Sequence, residues 1–95
     1  MRASPPLTHI VLTLRHFPLQ AVEDLTTCLR RRQELMPEDS RSIAEAHFQL
    51  GVALGFSTQF ELAEDNLKEA IRVLELRVAN LQKTAGGGYL YTYIS

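Results

Sequence analysis

Three stretches of the chain carry apolar residues at steps of three and four, and each is bounded by residues that stop a helix. From Leu19 to Met36 the positions Leu19, Val22, Leu25, Cys28, Leu29, Leu35 and Met36 recur at helical spacing, with Glu23, Asp24 and Arg30 to Arg32 between them. Pro37 closes this run, because proline offers no backbone donor and drives the residue before it out of helical geometry. A second helix is predicted from about Arg41 to Phe56, with Ile43, Ala44, His47, Phe48, Leu50, Gly51, Ala53 and Leu54 forming a broad apolar face. Asp39, Ser40 and Ser42 can each cap it, and Ser42 with Glu45 has the spacing of a capping box. A third helix is predicted from about Phe60 to Gln82, with Leu62, Ala63, Leu67, Ala70, Ile71, Leu74, Val78 and Leu81 expected on its buried side. Thr58 and Glu61 supply a second capping-box spacing at its start.

The flanks read differently. Residues 1–18 contain Pro5, Pro6 and Pro18, no acidic residue and only a short apolar run from Ile10 to Leu14. That run is too short, and no small-residue cleavage site follows it, so a targeting role is disfavoured and a poorly ordered segment is expected. Lys83 to Gly88 ends the third helix, since three glycines supply a C-cap and then a pliable stretch. Tyr89 to Ile94 alternates like a strand, but one strand has nothing to pair with, and residues 84–95 are expected to form a loose tail. The helical unit is therefore placed at 19–83.

Composition narrows the function classes. The chain has 95 residues, enough for one small and marginally self-sufficient core. Its net charge of −1 removes the broad electrostatic drive toward nucleic acid or an anionic membrane. Arg30 to Arg32 sit near a helix end, where they complement the helix dipole rather than mark a binding patch. No stretch approaches the roughly 20 apolar residues of a membrane-spanning helix. A single cysteine, Cys28, excludes an intrachain disulfide, and its place on an apolar stripe makes it a small core residue. His9, His16 and His47 include no pair at the spacing of a helical zinc site, so neither a metal nor a cofactor is expected. No nucleophile, base and oxyanion-binding set can be assembled, and His47 reads as a packing or partner-contacting residue, so the chain is not expected to be an enzyme.

The informative constellation is His47, Leu50, Gly51 and Leu54 on the second helix with Ala63, Leu67 and Ala70 on the third. Gly51 and Ala63 let two antiparallel helices approach closely, while Leu50, Leu54, Leu67 and Ala70 fill the space between them. This set resembles one tetratricopeptide repeat, with His47, Leu54 and Leu67 at places usually held by bulkier or aromatic residues. Ala21, Leu25 and Cys28 stand as Ala63, Leu67 and Ala70 do, so the first helix resembles the closing helix of a preceding repeat. The offset from Ala21 to Ala63 is 42 residues, longer than the usual period of about 34. The expected class is thus all-α: an antiparallel helix hairpin plus one preceding helix, a piece of an α-solenoid.

That irregular period belongs to a subgroup. Gln20 to Leu25, then Pro37 to Arg41, then Ile43 to Gly51 resemble the SHNi-TPR segment of the family of nuclear autoantigenic sperm protein and its fungal relatives, over roughly Phe17 to Gln82. The resemblance implies a nuclear histone chaperone that binds histone H3, alone or with H4, and escorts it toward chromatin assembly. The family has several repeats and an acidic tract inserted in one of them. Here there are about one and a half repeats and no acidic run, so a fragment is expected.

In such a repeat the first helix of each pair supplies most of the inner surface, which places Glu45, Phe48, Val52, Gly55 and Phe56 there. An anionic group beside aromatic faces suits a basic, partly helical ligand. The resemblance implies the same for Glu45 and Phe48 in particular. A generic interaction module or co-chaperone clamp for an acidic carboxy-terminal peptide would instead need inward Lys, Arg and Asn. A third reading is self-association, or pairing with another helical repeat, through the apolar edge that the missing half-repeat leaves open.

Overall fold

The computed structural model describes residues 16–84, which form three α-helices and, among the described residues, no strand. They are α1 (Pro18–Leu35), α2 (Arg41–Phe56) and α3 (Phe60–Thr84). Of the segments expected to be loose, residues 1–15 and 85–95 lie outside the described residues, whereas Phe17 caps α1, Pro18 opens it and Thr84 ends α3. Proline suits that first position, where its missing donor has no helical acceptor to lose. Met36 caps the other end in extended geometry, its N–H bonded to the Arg32 carbonyl at 2.9 Å, and Pro37 follows.

α2 lies in the middle. Its buried residues are Ile43, Ala44, Ala46, His47, Leu50, Gly51, Ala53 and Leu54, and they face both neighbours. One core joins Leu29 of α1 and Ala63 and Val73 of α3 to Ile43, Ala44, Ala46, Leu50 and Leu54. A smaller cluster joins Ala21 to Ala53, with Val22, Leu25 and Val52 packed beside it. Ala46 and Ala53 are wholly inaccessible, so the two outer helices approach α2 closely at small side chains. Both packings are antiparallel. Arg32 Nη1 donates to the Ser42 carbonyl at 2.7 Å, and Asn80 Nδ2 donates to Asp39 Oδ2 at 3.2 Å, which ties the far end of α3 to the α1–α2 turn.

Two expectations about faces need correcting. Leu19 and Leu35 of α1 are 69% and 80% exposed, and Leu62, Ile71, Leu74, Val78 and Leu81 of α3 are all exposed. The buried seam of α3 runs instead through Ala63, Ala70 and Val73. The physical reason is that α1 and α3 each have one neighbouring helix, α2, which covers only one side of a wide apolar stripe. Cys28 is half-buried rather than fully enclosed.

The caps agree with expectation at Ser40 and differ at the two capping boxes. Ser40 is the N-cap of α2, its side chain accepting from the Ser42 N–H at 3.1 Å, so the Ser42–Glu45 box does not form. Thr58 does not cap α3. It closes α2, with φ of 64° and its N–H on the Gly55 carbonyl at 3.1 Å, while the Gln59 N–H reaches the Leu54 carbonyl at 2.9 Å. These two bonds are those of a Schellman motif, whose left-handed residue is usually glycine. A β-branched residue in left-handed geometry is strained by about 1 kcal/mol or more. Thr58→Gly is therefore expected to raise stability by about 1 kcal/mol, moving the melting midpoint up by roughly 4–8 °C for a chain this small. An unchanged midpoint in a thermal melt would show that the strain is relieved in solution.

Candidate partner-binding surface

An apolar depression lies between α2 and α3. It is a groove of about 360 Å³ lined by Arg41, Ala44, Glu45 and Phe48 of α2 and Leu67, Ala70, Ile71 and Leu74 of α3. The antiparallel pairing brings these residues together. Gly51 meets Ala63 and Leu67 at the tight end, and α2 residues three and seven positions earlier, Phe48 and Ala44, then face α3 residues farther along.

Of the five inner-surface residues proposed from the sequence, the groove gathers two. Glu45 and Phe48 line it, and Phe48 is 56% exposed although it is large and apolar. Val52 packs toward α1, beside Ala21 and Ala53. Phe56 is 42% exposed at the end of α2, and Gly55 faces open space, with no atom within 4 Å of where a Cβ would stand. The residues that sequence reasoning missed are Ile71 and Leu74, assigned to the buried side. Their signal was present in the 4-3-4-3 spacing of Leu67, Ile71, Leu74, Val78 and Leu81.

His47 is buried and held from α3. Asn66 Nδ2 donates to the Leu62 carbonyl at 3.0 Å, which leaves Asn66 Oδ1 to accept from His47 Nδ1–H at 2.9 Å. The ring thus serves as a polar fastener between the two helices. It also borders a smaller recess of about 220 Å³ with Glu38, Glu69 and Arg72. Arg72 Nε lies 2.8 Å from both Glu69 carboxylate oxygens, and this hydrogen bond holds the Glu69 carboxyl below its ordinary range against a smaller opposing effect of burial. The pair is solvent-exposed and adds little to stability. Among the described residues no group of three or more His, Cys, Asp or Glu is placed to hold a metal ion, and no helix is long and apolar enough to cross a membrane.

No family model matches the chain. It is, however, 37% identical over 65 residues to nuclear autoantigenic sperm protein of Bos taurus and 35% identical over 65 residues to that of Homo sapiens. The chain carries a segment of the nuclear autoantigenic sperm protein family. Histone-binding protein N1/N2 of Xenopus laevis is 39% identical over 59 residues, which are 62% of this chain and 10% of that protein. The bovine and human alignments each cover 68% of this chain and 8% of the relative. The chain thus spans only about a tenth of the length of these curated relatives, and what it shares with the nuclear autoantigenic sperm proteins is one helical segment.

Proposed function

We propose that this chain is a histone-binding segment of chaperone type, acting in the nucleus, that holds histone H3, alone or with H4, against the α2–α3 groove. We also read the α2–α3 hairpin as one tetratricopeptide repeat and α1 as the closing helix of another. The close approach at Gly51 and Ala63 supports that reading.

The observation that carries the proposal is the exposed Phe48 beside Glu45 on an apolar groove, in a segment similar to a protein named for histone binding. A basic amphipathic helix fits such a surface, its apolar side on Phe48, Ile71 and Leu74 and its cationic side toward Glu45. Arg41 is the one cation lining the groove, so an acidic peptide would meet too little positive charge.

The test is a titration of purified histone H3 into the chain and into Glu45→Lys and Phe48→Ala, at low and physiological salt, after a helical spectrum has been verified for each. Phe48→Ala should weaken binding by about 2 kcal/mol, the usual effect of removing a hot-spot aromatic. Glu45→Lys should weaken it more at low salt than at high, because the lost attraction is screened. Equal affinities in all three proteins would remove the groove from the site. No binding by the parent chain at low salt would overturn the proposal.

A further inference from the structure

We propose that α3 is also a self-pairing surface: two copies of this chain associate side by side and parallel along Leu67, Ile71, Leu74, Val78 and Leu81. This inference goes beyond histone binding and does not depend on it.

The steps between these residues are 4, 3, 4 and 3, so they occupy successive d and a positions of a heptad. Leu67, Leu74 and Leu81 fall at d, and Ile71 and Val78 fall at a. β-branched residues at a with leucine at d are the combination that favours two parallel strands over larger bundles. Ile71, Leu74, Val78 and Leu81 are each 44–57% exposed, because α2 covers the adjacent side of the helix at Ala63, Ala70 and Val73. A stripe built for the face of another helix therefore stands uncovered in the single chain.

The edges of the stripe fit a second copy of the same chain. In a parallel pair the g edge of one helix meets the e edge of the other. The g edge here is Ala70, small and buried, with Arg41 and Glu45 of α2 rising beside it, and Arg77, which is exposed. The e edge carries Lys68 and Glu75, both exposed. Each edge thus presents charges of both signs, with the excess of cation on the g side (Arg41, Arg77) facing the Glu75 side of the other copy, and a two-fold axis repeats that match on both flanks. Five largely apolar side chains from each copy, flanked by the two exposed Phe48 rings, bring the buried area to roughly 1,000 Å², the lower end for a specific interface. The stripe is only a little over two heptads long, so the pair is weak and concentration-dependent.

The groove at Phe48 and Leu67 is shared with the proposed histone site. A second copy and a histone would therefore compete for it.

Sedimentation velocity on the full chain alone keeps this test separate from histone binding. Between about 2 and 300 µM the sedimentation coefficient should rise by about half as monomers pair. The double variant Leu74→Glu with Val78→Glu should stay monomeric throughout with its helical spectrum intact, since both residues are exposed in the single chain. In a Cys28→Ser background, Val78→Cys should cross-link on oxidation much faster than Glu75→Cys, because a positions face each other across a parallel seam and e positions do not. A parent chain that is monomeric at every concentration, or a double variant that pairs like the parent, overturns the proposal. Cross-linking no faster at Val78→Cys than at Glu75→Cys overturns the parallel register. The chain has no tryptophan and its three tyrosines all lie between Tyr89 and Tyr93. If the parent is monomeric and the double variant exposes those tyrosines to a quencher, the chain's own terminal segment covers the stripe instead of a second copy.

Discussion

Gly51→Leu is expected to unfold the chain. A Cβ built at Gly51 would stand 2.9 Å from Cγ and Cδ2 of Leu67 and 3.1 Å from the Ala63 carbonyl oxygen, both closer than packed carbons and oxygens normally come. The Leu67 side chain can swing away, but the Ala63 carbonyl belongs to the first turn of α3 and moves only if that helix moves. A leucine adds three more carbons at the same point and must push α3 off α2. Overpacking of this kind typically costs about 1–3 kcal/mol, and a backbone-limited contact lies at or above the upper end. The gain in helix propensity on leaving glycine, somewhat under about 1 kcal/mol, does not offset it. A three-helix unit of this size has only a few kcal/mol to lose. Circular dichroism at 222 nm should therefore show loss of helix at room temperature for Gly51→Leu. Gly51→Ala adds only the Cβ, which asks Leu67 to swing and α3 to give by a few tenths of an ångström against about 1 kcal/mol of regained helix propensity, and should keep its helix with a much smaller change in the melt. A parent-like melt for the leucine variant would mean that the helices are not in close contact at Gly51.

The boundaries of the three helices were legible in the sequence because strong punctuation sets them. Pro37 stops α1, and the polar Ser57, Thr58 and Gln59 separate α2 from α3, so expectation and structure agree within a residue or two at each end. The faces were less legible. Periodicity shows that a helix has an apolar stripe, but whether the stripe is covered depends on how many neighbours the chain provides. α2 has two, and seven of the eight residues on its predicted apolar face are buried. α1 and α3 have one each, which leaves Leu19 and Leu35 on one and Ile71 to Leu81 on the other in solvent. Ser40 was among the caps the sequence offered, but the two capping boxes were misread for a related reason. Ser42 and Thr58 have the right spacing to the following glutamates, yet the chain reverses direction at Ser40 and at Thr58, and that backbone geometry decides which residue caps.

The groove was half legible. Glu45 and Phe48 line one wall of it, and both were named from the repeat pattern, in which the first helix of a pair supplies the inner surface. The other wall of the groove could not be found while Ile71 and Leu74 were counted as core. Val52 lies outside the groove because the side of α2 that meets α1 is set by Ala21 and Ala53, two small residues with a weak hydrophobic signal. Exposure of large aliphatic residues, which sequence patterns do not report, is what turned a buried stripe into a surface.

Leu50→Ala and Leu81→Ala remove the same three carbons from helices of the same unit, and they should differ sharply. Leu50 is 5% exposed and sits in the core with Leu54, Ile43 and Leu29, where its removal leaves a cavity that α1 and α3 cannot both collapse into. Leucine-to-alanine changes at such sites cost about 2–5 kcal/mol, enough to bring a unit of this size to its melting point near room temperature. Leu81 is 52% exposed on the free side of α3, so its truncation should fall within about 0.5 kcal/mol of the parent. Had the apolar stripe of α3 been core along its length, as its periodicity alone suggests, both changes would cost alike. Urea unfolding at about 2 µM, where chain pairing does not contribute, separates the two cases through the midpoint. A large loss at Leu81 would place that side chain under cover in the monomer, and the pairing stripe would then no longer be free.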